Sequence, residues 1–132
     1  LSRSSAASDV YKRQSQDSCA FYERTALFAD YDGVANGPDE GINIAKALGN
    51  KDFVILQNHG ILTTGTMVDT TIWYFLNMED ACKSQLLAEA VGKPIVIPHE
   101  TACATRDYVA NDLSAYVSFQ PPVAVLWEEE PD

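Results

Sequence analysis

The chain has 132 residues, enough for one modest domain with its own core, and 46% hydrophobic against 21% charged residues is a globular composition. Nineteen acids against nine bases give a net charge of −10, a surface that repels phosphate backbones and argues against a nucleic-acid partner. No apolar run approaches the ~20 residues that span a bilayer and no secretory signal is visible, while Cys19, Cys82 and Cys103 read as small buried hydrophobes of a reducing, cytoplasmic compartment.

Residues 1–14 are crowded with Ser and Ala and have no hydrophobic period. Within them S-A-A-S-D-V-Y-K-R-Q resembles the translation of a sequencing-library linker, with an ordinary disordered tail as the alternative. Either way the segment is set outside the fold, and the domain is expected over 15–132. Between Gln16 and Asp32, two short apolar groups, Ala20–Tyr22 and Ala26–Ala29, predict extended chain before a turn at Asp30–Gly33. A long loop with one embedded strand fits the same residues. Pro38 suits a first helical position, Asp39 and Glu40 complement the helix dipole, and Ile44, Ala45 and Leu48 recur at helical spacing before Gly49.

The most informative stretch is Phe53–Gly65, F-V-I-L-Q-N-H-G-I-L-T-T-G. Phe53–Leu56 is too short for a helix and too apolar for a half-exposed strand, so it predicts a strand buried on both faces. Asn58 and Gly60 tolerate a positive φ, which makes Asn58-His59-Gly60 a tight turn before a second strand at Ile61–Thr64. The strand fixes the backbone and Gly60 leaves room beside the imidazole, a good setting for a metal ligand. The plainer reading of His59 is a hydrogen-bonded structural residue. His99 stands outside any H-x-H or H-x-x-x-H spacing with it.

After Gly65, Thr66 and Asp69 have the spacing of a capping box, and a long helix is expected to end at Gly92 before Lys93-Pro94. Val68, Ile72, Phe75, Leu76, Cys82, Leu86, Leu87 and Ala90 form its predicted buried stripe. Trp73 and Tyr74 widen the apolar circumference, so a cover on more than one side is expected. Ile95–Ile97 reads as a connector and His99–Leu113 as a helix. Pro121-Pro122 should end the apolar segment that follows, with a short helix at Val123–Trp127 and a solvated acidic end.

Gln57-Asn58-His59-Gly60, with the flanking F-V-I-L and I-L-T-T-G, resembles the N-H-G signature of the class II aldolase/adducin family, and the likeness extends from about Gln16 to Gly92. The resemblance implies an α/β domain, a three-layer α/β/α class II aldolase-like fold with a central, mainly antiparallel sheet, assembled as a homo-oligomer, often a tetramer. It also implies a lyase that cleaves a sugar-phosphate or related hydroxy-carbonyl substrate through an enediolate stabilised by zinc or another divalent metal. In catalytic members the N-H-G histidine is the third of three zinc ligands, a role that passes to His59 alone. The family's H-x-H pair, catalytic Glu and phosphate-binding residues precede that turn, and nothing between Ser15 and Phe53 is a His. The chain therefore looks like the C-terminal half of such a domain, expected to be inactive by itself, with Phe53–Leu56 left at a sheet edge. Glu23, Asp30 and Asp32 read as solvated acids, not substitute ligands. An adducin-like assembly module without catalysis is the alternative.

Overall fold

The structure, a computed structural model, describes residues 13–30 and 38–130. A short helix α1 (Gln16–Cys19) leads through a turn into β1 (Thr25–Phe28), and helix α2 (Pro38–Leu48) precedes a hairpin of β2 (Phe53–Leu56) and β3 (Gly60–Thr63). Three helices complete the chain, α3 (Val68–Val91), α4 (His99–Val109) and α5 (Asp112–Glu129). The strands form one sheet in the order β1-β2-β3, with β1 parallel and β2 antiparallel to its successor. The sheet is thus mixed among the described residues, where a mainly antiparallel one was expected. β2 is also its central strand, not an edge, because Thr25–Phe28 supplies the second neighbour that its apolar faces require.

Alternation along β2 builds two cores. Phe53 joins Phe21, Tyr74, Met78, Ala81 and Ala115, with Ile55 and Ile61 packed against them, on the face covered by α3 and α5. Val54 and Leu56 join Phe28 on the other face, where Ile44, Ala47 and Leu48 of α2 cover them. Helices therefore lie on both sides of the sheet, the arrangement that lets a strand with Phe53 and Val54 both fully buried exist.

The long helix shows a different buried face from the one predicted. Thr70, Tyr74, Met78, Ala81 and Gln85 face the core, whereas Val68, Ile72, Phe75, Leu76, Leu86 and Leu87 are exposed. Apolar residues surround this helix, so spacing alone offers two stripes. Edge-to-face contacts of Tyr74 with Phe53 at 5.1 Å and Phe21 at 6.3 Å select one of them. Its start differs too: Met67, not Thr66, is the N-cap and provides no side-chain cap, while Thr66 Oγ1 donates to Asp112 Oδ2 at 2.8 Å. The end at Gly92 is as expected.

Near the C-terminus the two expected helices have other bounds: the first stops at Val109 instead of Leu113, and the second runs over Asp112–Glu129 instead of Val123–Trp127. Asn111 Oδ1 accepts from Ser114 N at 2.9 Å and starts α5 afresh. That helix then continues through Pro121 and Pro122. The carbonyls deprived of donors belong to Val117 and Ser118, both exposed, where water can replace the lost bonds. Earlier in the chain, Ala20–Tyr22 is a turn rather than extended chain, following a helix capped reciprocally by Ser15 and Ser18.

Arg13 and Gln14, assigned above to a segment outside the fold, are tied to it. Ile97 N donates to Arg13 O at 2.9 Å, and Gln14 Nε2 donates to Ala81 O at 3.2 Å. The rest of that segment, residues 1–12, lies outside the described residues.

Candidate functional site

The β2–β3 hairpin carries the site that the sequence singles out. Leu56 pairs with Gly60, which leaves Gln57, Asn58 and His59 as a three-residue loop. Gln57 N donates to Phe28 O at 2.9 Å, extending the β1–β2 ladder into the loop, and His59 N donates to Leu56 O at 3.0 Å, closing it. Asn58 takes the left-handed conformation, φ 59°, which its short amide side chain tolerates better than a branched residue would. Gly60 does not: a Cβ there would meet nothing within 4 Å, so the space beside the imidazole is present whatever residue follows it. His59 is exposed on this loop, behind a strand whose ends are fixed by two cores.

A clamp at the opposite end of β2 holds the hairpin against the sheet. Arg24 Nε donates to Asp52 Oδ2 at 2.7 Å and Nη1 donates to Ala110 O at 3.2 Å. Its guanidinium lies 5.0 Å from the Phe53 ring centre and 5.4 Å from that of Tyr74. Burial works against this charge, but hydrogen bonds to Asp52 and Tyr74 outweigh it and raise the guanidinium above its ordinary range. Across the hairpin, Thr64 N and Oγ1 both donate to Asp52 O at 2.9 Å.

Among the described residues no three His, Cys, Asp or Glu side chains are grouped to hold a metal ion. Of the acids weighed as substitutes, Asp30 is exposed after β1, Asp32 lies outside the described residues, and Glu23 is elsewhere and not simply solvated. Glu23 Oε2 accepts from Arg106 Nη1 at 3.1 Å, and Glu23 Oε1 is 3.9 Å from His99 Nδ1. Hydrogen bonding to Asp107, assisted by Glu23, holds the Arg106 guanidinium above its usual range. His99 also meets Tyr22, Nδ1 to the phenol oxygen at 3.1 Å. The structure thus brings His99 together with Glu23, Tyr22 and Arg106 and leaves it apart from His59. Sequence held one trace of this group, the i, i+4 spacing of His99 and Cys103 on a helix. A groove of about 350 Å³ lined by Gln16, Thr101, Ala104, Thr105, Tyr108 and Val109 takes no residue from the β2–β3 loop.

Comparison with known proteins places these features. Residues 3–86 match the family model described as Class II Aldolase and Adducin N-terminal domain. The decarboxylase NovR of Streptomyces niveus is 37% identical over 117 residues, covering 89% of this chain and 43% of NovR. Alpha-adducin of Rattus norvegicus is 40% identical over 68 residues, 49% of this chain and 9% of that protein. The solved L-fuculose 1-phosphate aldolase from Glaciozyma antarctica PI12 superposes with a TM-score of 0.80 at 36% identity, over 92% of this chain and 45% of the aldolase. The chain accordingly spans less than half the length of the two enzymes.

Proposed function

Since the chain belongs to the class II aldolase and adducin N-terminal domain family, we propose that it is part of a carbon–carbon lyase, to which it contributes one metal-ligating imidazole, His59. The observation that supports this most is where His59 stands. It sits on a hydrogen-bonded three-residue loop, at the end of a strand buried on both faces. Two of the similar enzymes, a decarboxylase and an aldolase, support the same reaction class. Decarboxylation and aldol cleavage each break a carbon–carbon bond and leave its electron pair on carbon, so each requires a group that draws off that charge.

The described residues do not by themselves make a site for zinc or another divalent cation. His59 is one donor, and a catalytic site of this kind asks for three. The remaining ligands and the acid/base carboxylate are assigned to an upstream half of the domain, and the 132-residue chain alone is assigned no turnover. The substrate class that fits is a small sugar-phosphate or related hydroxy-carbonyl compound, in the cytoplasm. The exposed apolar side of α3, with Ile72, Phe75 and Leu76, supports assembly as a homo-oligomer, a tetramer in this reading.

The test is zinc analysis and a sugar-phosphate cleavage panel on a protein in which residues 15–132 follow an upstream half of the domain. About one zinc per chain, falling sharply in His59→Ala, with turnover abolished by a chelator, is the expected result. Equal zinc in both proteins removes His59 from the site. The likeness to alpha-adducin favours a second reading, a non-catalytic assembly module. An upstream half without paired histidines, and no chelator-sensitive turnover, would establish that reading instead.

A further inference from the structure

Outside the β2–β3 loop, α4 and the turn before β1 bring a thiol, an imidazole and a carboxylate together. Cys103 Sγ lies 3.8 Å from His99 Nδ1 and 3.9 Å from Nε2, one helical turn away, and 3.8 Å from Glu23 Oε2. Tyr22 Oη and Arg106 Nη1 complete the group through His99 and Glu23. Glu23 is held there by a left-handed backbone, φ 61°, which a glutamate adopts only where its surroundings demand it. The His99 and Glu23 side chains are 60% and 48% exposed and Cys103 is half-buried, so a small molecule can approach.

We propose that Cys103 is a reactive thiol that takes up a low-molecular-weight disulfide as a mixed disulfide, with His99 as proton acceptor. Glu23 Oε2 already accepts a hydrogen bond from Arg106, whereas both ring nitrogens of His99 lie within 3.9 Å of the thiol, so the imidazole is the group placed to take its proton. The Cys103 proton passes to His99, and the thiolate attacks one sulfur of the incoming disulfide. The S–S bond breaks, and the departing thiolate takes the proton back from the imidazolium. One Cys103 thiol is oxidised to the mixed disulfide while half of the disulfide is reduced to a thiol, so electrons and protons balance. This exchange needs a thiol, a base and an open line of approach, which the cluster has. It needs neither a metal nor an oxyanion hole.

The other two cysteines supply the contrast. Cys19 is fully buried, and burial, with Asp17 and Cys103 adding to it against the opposing Arg13, raises its thiol. Burial, followed by Glu79, raises Cys82 as well. Both should react slowly.

Treating the full chain with oxidised glutathione and mapping the adduct by peptide mass spectrometry tests the assignment. A single adduct on Cys103 is expected, formed about tenfold faster at pH 7 than in His99→Gln, a modest value for general-base help. Both rates fall with pH as thiolate is lost, so the diagnostic quantity is the ratio of the wild-type rate to that of His99→Gln, which should shrink toward one in acid, where a protonated imidazole accepts no proton. Charged and titratable groups facing the thiol are Glu23, Arg106, Tyr22, His99 and Cys19. A reaction spread over Cys19 and Cys82, or a His99→Gln chain with the wild-type rate and pH profile, overturns the proposal. The adduct map needs no variant.

Discussion

Replacing Tyr74 and Phe75 by alanine, one at a time, sets the buried face of α3 against the face that spacing suggests. The two residues are adjacent aromatics in one helix, so the gain in helix propensity on going to alanine largely cancels between them. Tyr74 is 2% exposed, and its ring meets Phe53, Phe21 and Trp73 within 6.3 Å as well as the Arg24 guanidinium. Large-to-small changes at such a site cost about 3–5 kcal/mol, and lost ring pairs add about 0.5–1.5 kcal/mol each. We expect Tyr74→Ala to cost about 4 kcal/mol, against a total of about 5–15 kcal/mol for a domain of this kind. Phe75 is 41% exposed and would leave an open surface, not a cavity, so Phe75→Ala should cost about 1 kcal/mol or less. Urea unfolding followed by tryptophan fluorescence measures both. With a slope of about 1–2 kcal/mol per molar urea, the midpoints should separate by roughly 2 M. Running the series at several protein concentrations separates loss of fold from loss of self-association. If Phe75→Ala proves the more damaging at low concentration, the packing described for α3 is wrong.

Two further outcomes follow from other contacts. A Cβ at Gly65 would lie 2.4 Å from Thr71 Oγ1, which itself donates to Met67 O at 2.7 Å, so Gly65→Ala should cost about 1 kcal/mol, the value of that displaced bond. In a Thr71→Ala background the same change should cost less, with only the Thr70 hydroxyl and the residue 71 Cβ still close, and a double-mutant cycle by denaturant titration that shows no coupling would refute this reasoning. Burial raises the Cys19 and Cys82 thiols in the folded chain, so the folded state holds its protons to higher pH than the unfolded one. This contribution is intact below the unfolded thiol value of about 8.5 and is lost as pH rises through the folded values. Thermal melts from pH 7 to 10 should show the decline, with a shallower slope in Cys19→Ala. An unchanged slope would mean that Cys19 is not desolvated.

Legibility followed how local the deciding physics was. Phe53–Leu56 could be read as a doubly buried strand because its own residues carry the reason, and Pro38 with Gly49 marked α2 by the same token. The Asn58-His59 turn was legible for its backbone requirement, though the residue at positive φ is Asn58 and the glycine is incidental. The face of α3 was not legible, because a helix apolar all round leaves the choice to Phe21 and Phe53, far away in sequence. Proline rules overstated the break at Pro121-Pro122, where exposed carbonyls lower the penalty, and the Asn111 cap that divides α4 from α5 was overlooked. The cluster around Glu23, His99 and Cys103 depends on Glu23 meeting a helix more than 75 residues later, and no periodicity encodes that.

The Arg24 clamp has a consequence for how the chain folds and opens. Two of its partners, Asp52 and Ala110, are 28 and 86 residues further along, so no local segment can make it. The loop-closure entropy for both contacts must already be spent before the guanidinium finds them, which places the clamp late on the folding path. A contact absent from the transition state holds back unfolding without hastening folding. In stopped-flow experiments Arg24→Met should therefore leave the refolding limb of the chevron in place and lift the unfolding limb; a slowed refolding limb would put the clamp in the nucleus instead. What Arg24 governs, on this view, is the lifetime of the native state rather than the speed of reaching it.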